Sequence, residues 1–236
     1  MNNKFNILFI VGCEGTGHHL FEHMFYDGIS GNKEYRDIRE LVLKYFKANN
    51  ETKKIIKNKI HKLTSERIGS LCVESASYPY FRPLNILNSI DLYGYYELFK
   101  DMKQINLNFI VLNRDIKKSS LSAYNRFDKS NGLEINDAVR IQEIMKNYLN
   151  NQIQLIPKDK YIILDLLDLQ KNVNSFRELM NKKFNLKIKF RNDKIKISDE
   201  NKYNSDENYN YVCNYFNDTR LKQFKFFDEN TTKLNS

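Results

Sequence analysis

The sequence predicts an α/β domain with a central parallel sheet flanked by helices in three layers. Three features carry this. Short, wholly apolar runs such as Ile7-Leu8-Phe9-Ile10-Val11 recur along the chain, stretches with helical spacing separate them, and the first run ends in a glycine-rich turn. A strand covered on both faces reads as a continuous apolar run rather than an alternating one. Strands alternating with helices pair in parallel through crossovers, and ligands then bind beyond the carboxyl ends of the strands. With 236 residues, three prolines (Pro79, Pro83, Pro157) and no Pro/Gly/Ser-rich linker, the chain reads as one domain over residues 1–236.

The elements follow in order. Phe5 to Val11 is a buried strand and His18 to Tyr26 the helix behind it. Ile38, Leu41, Val42, Tyr45 and Phe46 give Arg36 to Lys47 a helical stripe. Ile68 to Val73 reads as a second strand ending at Glu74, Tyr95 to Met102 as a short helix, and Leu107 to Leu112 as a third strand running into Asn113-Arg114-Asp115. From Asp137, the positions Val139, Ile141, Ile144, Met145, Tyr148 and Leu149 predict a helix, with Asn136 or Asp137 placed to cap it. Tyr161 to Leu166 is a fourth strand and Val173 to Phe184 a helix. A polar stretch after Lys189 reads as a long loop, and Glu207 to Phe227 as a last helix. Three loops then lie at the ligand-binding edge: 12–19, 74–80 and 113–126.

Composition narrows the function classes. Hydrophobic residues at 41% exclude wholesale disorder. A mean hydropathy of −0.63 and the lack of an 18-residue apolar run exclude a membrane span. The first apolar run is too short for a signal peptide, so the expected location is cytoplasmic. Cys13, Cys72 and Cys213 are scattered without metal-ligand spacing, and no metal is expected. A formal net charge of +9 favours an anionic ligand or partner, although the lysines from Lys53 to Lys62 fit a solvated helix face in a Lys-, Asn- and Ile-rich chain. Nucleic acid is not indicated: no RNP motif, helix-turn-helix signature or Arg-rich tract is present. Oligomeric state leaves no readable mark.

Gly12-Cys13-Glu14-Gly15-Thr16-Gly17-His18-His19 stands between the first strand and the first helix. Backbone N–H groups and a helix N-terminus make an anion site there, and glycines let backbone approach phosphate oxygens. Gly12 and Gly17 keep the spacing of the Walker A pattern, but His18 replaces its lysine and His19 its hydroxyl residue. A kinase or NTPase needs both on the phosphates and Mg²⁺. A second cluster follows the third strand. Arg114 offers a planar fork, Ser122 a hydroxyl from the following helix, and Arg126 falls four residues beyond Ser122, so three donors are expected on one anion.

Together the two motifs resemble the sulfotransferases that use 3′-phosphoadenosine 5′-phosphosulfate (PAPS), with tyrosylprotein and heparan-type sulfotransferases nearest in motif. Their order is strand, G-x-x-x-[ST]-G, helix, then R-x₇-S after a later strand, and Arg114 stands eight residues before Ser122, the family spacing. Residues 161–169, the helix after them and 212–227 are also similar to the family's late elements. The resemblance implies a P-loop-like fold. It places the 5′-phosphosulfate on Gly12, Gly15, Thr16, Gly17, His18 and His19, and the 3′-phosphate on Arg114 and Ser122, with Arg126 beside them. Glu74-Ser75-Ala76-Ser77-Tyr78 is similar, with one residue fewer, to the heparan-type segment whose glutamate is the catalytic base; a neighbouring anion would raise a carboxyl pKa there. Glu14 is a second base candidate. Most members carry a lysine or arginine where this chain has Gly15; His18 and His19, or a late lysine among Lys194, Lys196 and Lys202, are the candidate replacements. His23 reads as an ordinary packed or surface histidine.

The expected activity is transfer of a sulfuryl group from PAPS to a hydroxyl or amine acceptor, with carbohydrate among the candidates, by in-line displacement. Two alternatives stand beside it: a divergent P-loop kinase, and an inactive module that binds PAP or another nucleotide.

Overall fold

The structure is a computed structural model and describes residues 4–13, 15–17, 33–77, 92–189 and 201–234. Five parallel strands form one sheet: β1 (Phe5–Gly12), β2 (Leu71–Ser77), β3 (Ile105–Asn113), β4 (Tyr161–Asp165) and β5 (Thr231–Thr232). Their order is β2-β1-β3-β4-β5. The helices are α1 (Lys33–Lys47), α2 (Asn50–Ser65), α3 (Leu92–Phe99), α4 (Ile116–Ala123), α5 (Ile135–Gln154), α6 (Leu166–Lys171), α7 (Val173–Phe184), α8 (Tyr209–Tyr215), α9 (Asp218–Leu221) and α10 (Lys225–Asn230).

β1 is buried along its whole length, which is why its sequence is unbroken apolar. Alternate residues serve opposite faces. Ile7, Phe9 and Val11 pack with side chains of α1, α2, α3 and α5, including Ile38, Ile60, Tyr95 and Met145. Leu8 and Ile10 pack with α6 and α7 through Leu169, Phe176 and Met180. A third cluster joins α4 to α8 through Leu121, Val212 and Phe216. The α/β three-layer expectation therefore holds.

Several boundaries differ from the sequence reading. β2 begins at Leu71 and runs to Ser77, so Glu74 is in the middle of the strand and not at its end. Gly69, with φ of +88°, turns the chain before the strand and leaves Ile68 exposed. Helix α2 carries the lysines from Lys53 to Lys62 around a buried stripe of Ile56, Ile60 and Thr64, and Asn49 caps it by accepting from Thr52 N at 2.9 Å. Helix α5 starts at Ile135 with Glu134 at its cap, not at Asn136 or Asp137. Its inward stripe holds Gln142 and Lys146 together with Met145, Leu149 and Ile153, while Ile144 and Tyr148 point outward. The last predicted helix is broken into α8, α9 and α10, because Asn217 caps a new start by accepting from Arg220 N. Among the described residues no helix is long and apolar enough to cross a membrane.

The strand order positions the site. β1 and β3 are neighbours, and the connection from β1 runs to β2 on one side while that from β3 runs to β4 on the other; in open parallel sheets a crevice opens at the carboxyl ends where this happens. Those ends are Gly12 of β1 and Asn113 of β3.

Candidate functional site

The turn after β1 is held by its own hydroxyl. Thr16 is buried and donates from Oγ1 to the Cys13 carbonyl at 2.7 Å, while its N–H reaches the same oxygen at 3.1 Å. A Cβ on Gly12 would lie 2.2 Å from Thr16 Oγ1, so this inward fold requires glycine at position 12. Thr16 therefore shapes the turn and does not line the cavity described below.

Gly15 answers the question of the missing loop cation. Its φ is +80°, and a Cβ there would stand 2.2 Å from the Ser119 carbonyl oxygen and 3.2 Å from the Ala123 nitrogen, both backbone atoms of α4. The turn lies directly on that helix, so a lysine or arginine at this position is barred sterically and conformationally. Gly17, at φ of +86°, similarly abuts the Leu166 side chain at the start of α6.

Arg114 closes the arrangement from the other side. It follows β3, is buried, and donates from Nη1 to the Gly15 carbonyl oxygen. Asp115 caps α4, accepting from Lys117 N at 2.7 Å and Lys118 N at 3.4 Å, so the capping residue and the cavity-lining residue are adjacent. Within α4, Ser119 and Ser120 donate to the Ile116 carbonyl, whereas Ser122 opens onto the cavity. Arg126 does not continue that helix; it lies in a π-helical turn, Tyr124–Asp128, and still reaches the same cavity.

The cavity measures about 560 Å³ and is lined by Gly15, Gly17, Arg114, Ser122 and Arg126 from the expected motifs. Among the described residues Asn125, Leu166, Lys202, Tyr203 and Asp206 also line it. Among these described residues its cations are Arg114, Arg126 and Lys202, and its acid is Asp206, whose Oδ2 accepts from Asn125 at 2.6 Å. Tyr203 is buried with its ring 5.0 Å from the Arg114 guanidinium and 5.0 Å from the Lys202 ammonium. Burial alone would raise the phenol pKa; hydrogen bonds with Ser122 and Arg114 and the charges of Arg114 and Lys202 outweigh it and hold it below its ordinary value. An oxygen at this point is thus favoured when it carries negative charge. The sequence singled out Lys202 only as one of three late lysines and gave no sign of Tyr203, because neither stands in a motif.

A buried cation supports the base of the site. Lys146 of α5 donates to Asn113 Oδ1 at 3.0 Å and to the Arg114 carbonyl at 3.4 Å, between the rings of Phe224 and Phe227. Burial lowers its pKa, partly offset by Cys13, Asp228 and Asp115. Burial likewise pushes the Cys13 thiol up to about 12, with Lys146 acting in the opposite sense. Lys146 fixes the backbone from which Arg114 projects.

Glu74 stands elsewhere. It is 1% exposed, 3.4 Å from Arg39 Nε, and accepts from the Tyr95 hydroxyl at 3.1 Å. It pairs in register with Phe9, on which Tyr95 stacks at 4.8 Å, and does not line the cavity. The strand-end setting expected for it is corrected: β2 continues three residues further. Glu14, His18, His19, His23, Lys194 and Lys196 lie outside the described residues. Among the described residues no group of His, Cys, Asp and Glu has the arrangement to hold a metal ion.

No family model matches the sequence, and no curated protein matches it. Among solved structures, the chain is similar to a sulfotransferase domain from the curacin biosynthetic pathway, with 11% identity and a TM-score of 0.42 over 89% of this chain and 97% of that one. It is also similar to a sulfotransferase domain from the Synechococcus PCC 7002 olefin synthase, with 10% identity and a TM-score of 0.44 over 97% and 96%.

Proposed function

We propose that this protein is a sulfotransferase that takes its sulfuryl group from PAPS and passes it to a hydroxyl or amine acceptor. One observation carries the reading: Arg114 is bonded to Gly15, so the glycine turn and the Arg114-x₇-Ser122 motif, distant in sequence, open onto one cavity.

The residues suit a bis-phosphorylated nucleoside. A cavity of about 560 Å³ is in the ordinary range for a small-molecule site. Its donors are a guanidinium fork, a serine hydroxyl, two further cations and a turn with two positive-φ glycines. The phenol oxygen of Tyr203 already stands among them with a preference for negative charge. Arg114 and Ser122 would hold the 3′-phosphate, and Gly15 and Gly17 the 5′ end. PAPS, when bound, supplies an activated sulfuryl group. The chain's part is to orient it, to neutralise charge with Arg126 and Lys202 in place of the barred loop cation, and to accept the acceptor's proton. Glu74, paired with Arg39 and away from the cavity, is less suited to that last task than Glu14 or His18, which the sequence places at the turn.

The steric bar at Gly15 also favours a second reading, a module that binds the nucleotide without turnover. Thermal shifts with PAP, adenosine 5′-phosphosulfate, ATP with Mg²⁺ and buffer alone test the ligand class, because stabilisation grows with ligand concentration over Kd. PAP is expected to stabilise most, independently of Mg²⁺. A larger shift with ATP and Mg²⁺ would return the chain to the kinase reading, and PAP binding without PAPS consumption across hydroxyl and amine acceptors would leave the binding module.

A further inference from the structure

Tyr203 belongs to a 3₁₀ turn, Asn201–Ser205, and its ring is packed among Ile116, Leu121, Val139, Val212, Phe216 and Phe224. The ring stands 5.0 Å from the Arg114 guanidinium in the cavity that Ser122 also lines, and hydrogen bonding of the phenol with Ser122 and Arg114 holds its pKa below the ordinary value. A guanidinium has donors and no acceptor, so the phenol oxygen must accept from Arg114. Two groups suited to an anion therefore converge on an oxygen that the chain itself provides.

We propose that Tyr203 is a resident competitor for the Arg114–Ser122 phosphate site: its phenol oxygen takes the place of a phosphate oxygen and must give way when a phosphate monoester enters. This rests on the nucleotide reading above and adds to it a built-in limit on affinity. The lowered phenol pKa agrees, since it marks the spot as favourable to negative charge. The ring lies 5.0 Å from the guanidinium, which holds the phenol at the Arg114 end of the cavity. A ligand that binds only after Tyr203 has left shows an apparent affinity reduced by the fraction of molecules in which it has left. A nucleotide without the 3′-phosphate has no need of the Arg114–Ser122 pair and leaves Tyr203 in place.

Titration calorimetry on the full chain separates these cases. Tyr203→Phe keeps the packed ring and removes the competing oxygen. PAP is expected to bind the variant about 3- to 30-fold more tightly than the wild type, the range for losing one or two hydrogen bonds that favour the closed state. Adenosine 5′-phosphosulfate should bind both forms alike. Unchanged or weaker PAP binding by Y203F overturns the inference, the weaker case meaning that the phenol donates to the ligand. A wild-type measurement guards against a misfolded variant. With ¹³C-labelled tyrosine, the Tyr203 signal, assigned by its loss in Y203F, should move on saturation with PAP and stay with adenosine 5′-phosphosulfate; a signal that PAP does not move overturns the inference as well. If neither form binds PAP, the nucleotide reading falls and takes this inference with it, whereas PAP binding without any gain in Y203F sinks this inference alone.

Discussion

At Gly15 a single missing side chain decides how the site is charged. A Cβ would meet the Ser119 carbonyl oxygen at 2.2 Å, and the backbone is in the left-handed region. Gly15→Ala should cost roughly 1–3 kcal/mol of stability, the range for strain of this kind, read as a shift in the urea midpoint; an unchanged midpoint would show that the turn does not rest on α4. Arg114 has two tasks, bonding the Gly15 carbonyl and facing the cavity. Arg114→Ala is therefore expected to weaken PAP binding by about 1.5–3 kcal/mol, the range for a hydrogen bond to a charged group. Adenosine 5′-phosphosulfate should weaken less, through the loosened turn alone. Equal losses in calorimetry would remove Arg114 from the 3′-phosphate. Both residues were legible in the sequence, because glycine in a strand-to-helix turn and arginine after a strand are local signals. The bond between them was not, since it joins positions 99 residues apart. Glu74 shows the reverse: a local resemblance made it a base, and Arg39 and Tyr95, brought by two other helices, engage its carboxylate.

Among the elements, α5 departs most from its periodic reading. Of the predicted apolar stripe Val139, Met145 and Leu149 are buried, but Ile144 and Tyr148 are exposed, and Gln142 and Lys146 hold inward positions. Lys146 fits there because its ammonium meets Asn113 and Arg114 oxygens while its stem lies among phenylalanines. Its lowered pKa has a defined sign: between the folded value and the ordinary one near 10.5, the unfolded chain binds more protons, so this group's contribution to stability rises with pH. Cys13 acts oppositely. Its thiol stays protonated to about 12 when folded but ionises near 9 when unfolded, so its contribution falls across that window. Lys146→Met leaves only the falling part of this pair. Urea midpoints measured from pH 8 to 11 should decline more steeply in the variant than in the wild type, and parallel profiles would mean that Lys146 is not desolvated. Helix α2 is a quieter case. Lysines dominate its sequence, and its three buried residues were too few to announce a core helix until the sheet was there to receive them.

For the whole molecule, the sheet gathers chain from Phe5 to Thr232. β5 is only two residues long, yet Phe227 and Leu234 on either side of it are buried in the two opposite face clusters. Removing residues 225–236 strips the buried Phe227 and Leu234 from the two faces, at roughly 2–5 kcal/mol apiece, against a total stability of about 5–15 kcal/mol for an ordinary domain. The shortened chain is expected to lose its cooperative calorimetric transition; a transition at the wild-type temperature would mean that the end segment is an appendage.

Legible along the chain alone were the α/β class, the apolar strands β1, β3 and β4, helix α7 and the two motifs that line the cavity, because each is written in residues close together and in periods imposed by the backbone. The strand order, the inward turn of Lys146, the pairing of Glu74 with Arg39 and the seat of Tyr203 beside Arg114 emerge only in the folded chain. Those depend on which surfaces meet once the core closes, and contacts between distant segments leave no period or spacing in the chain that makes them.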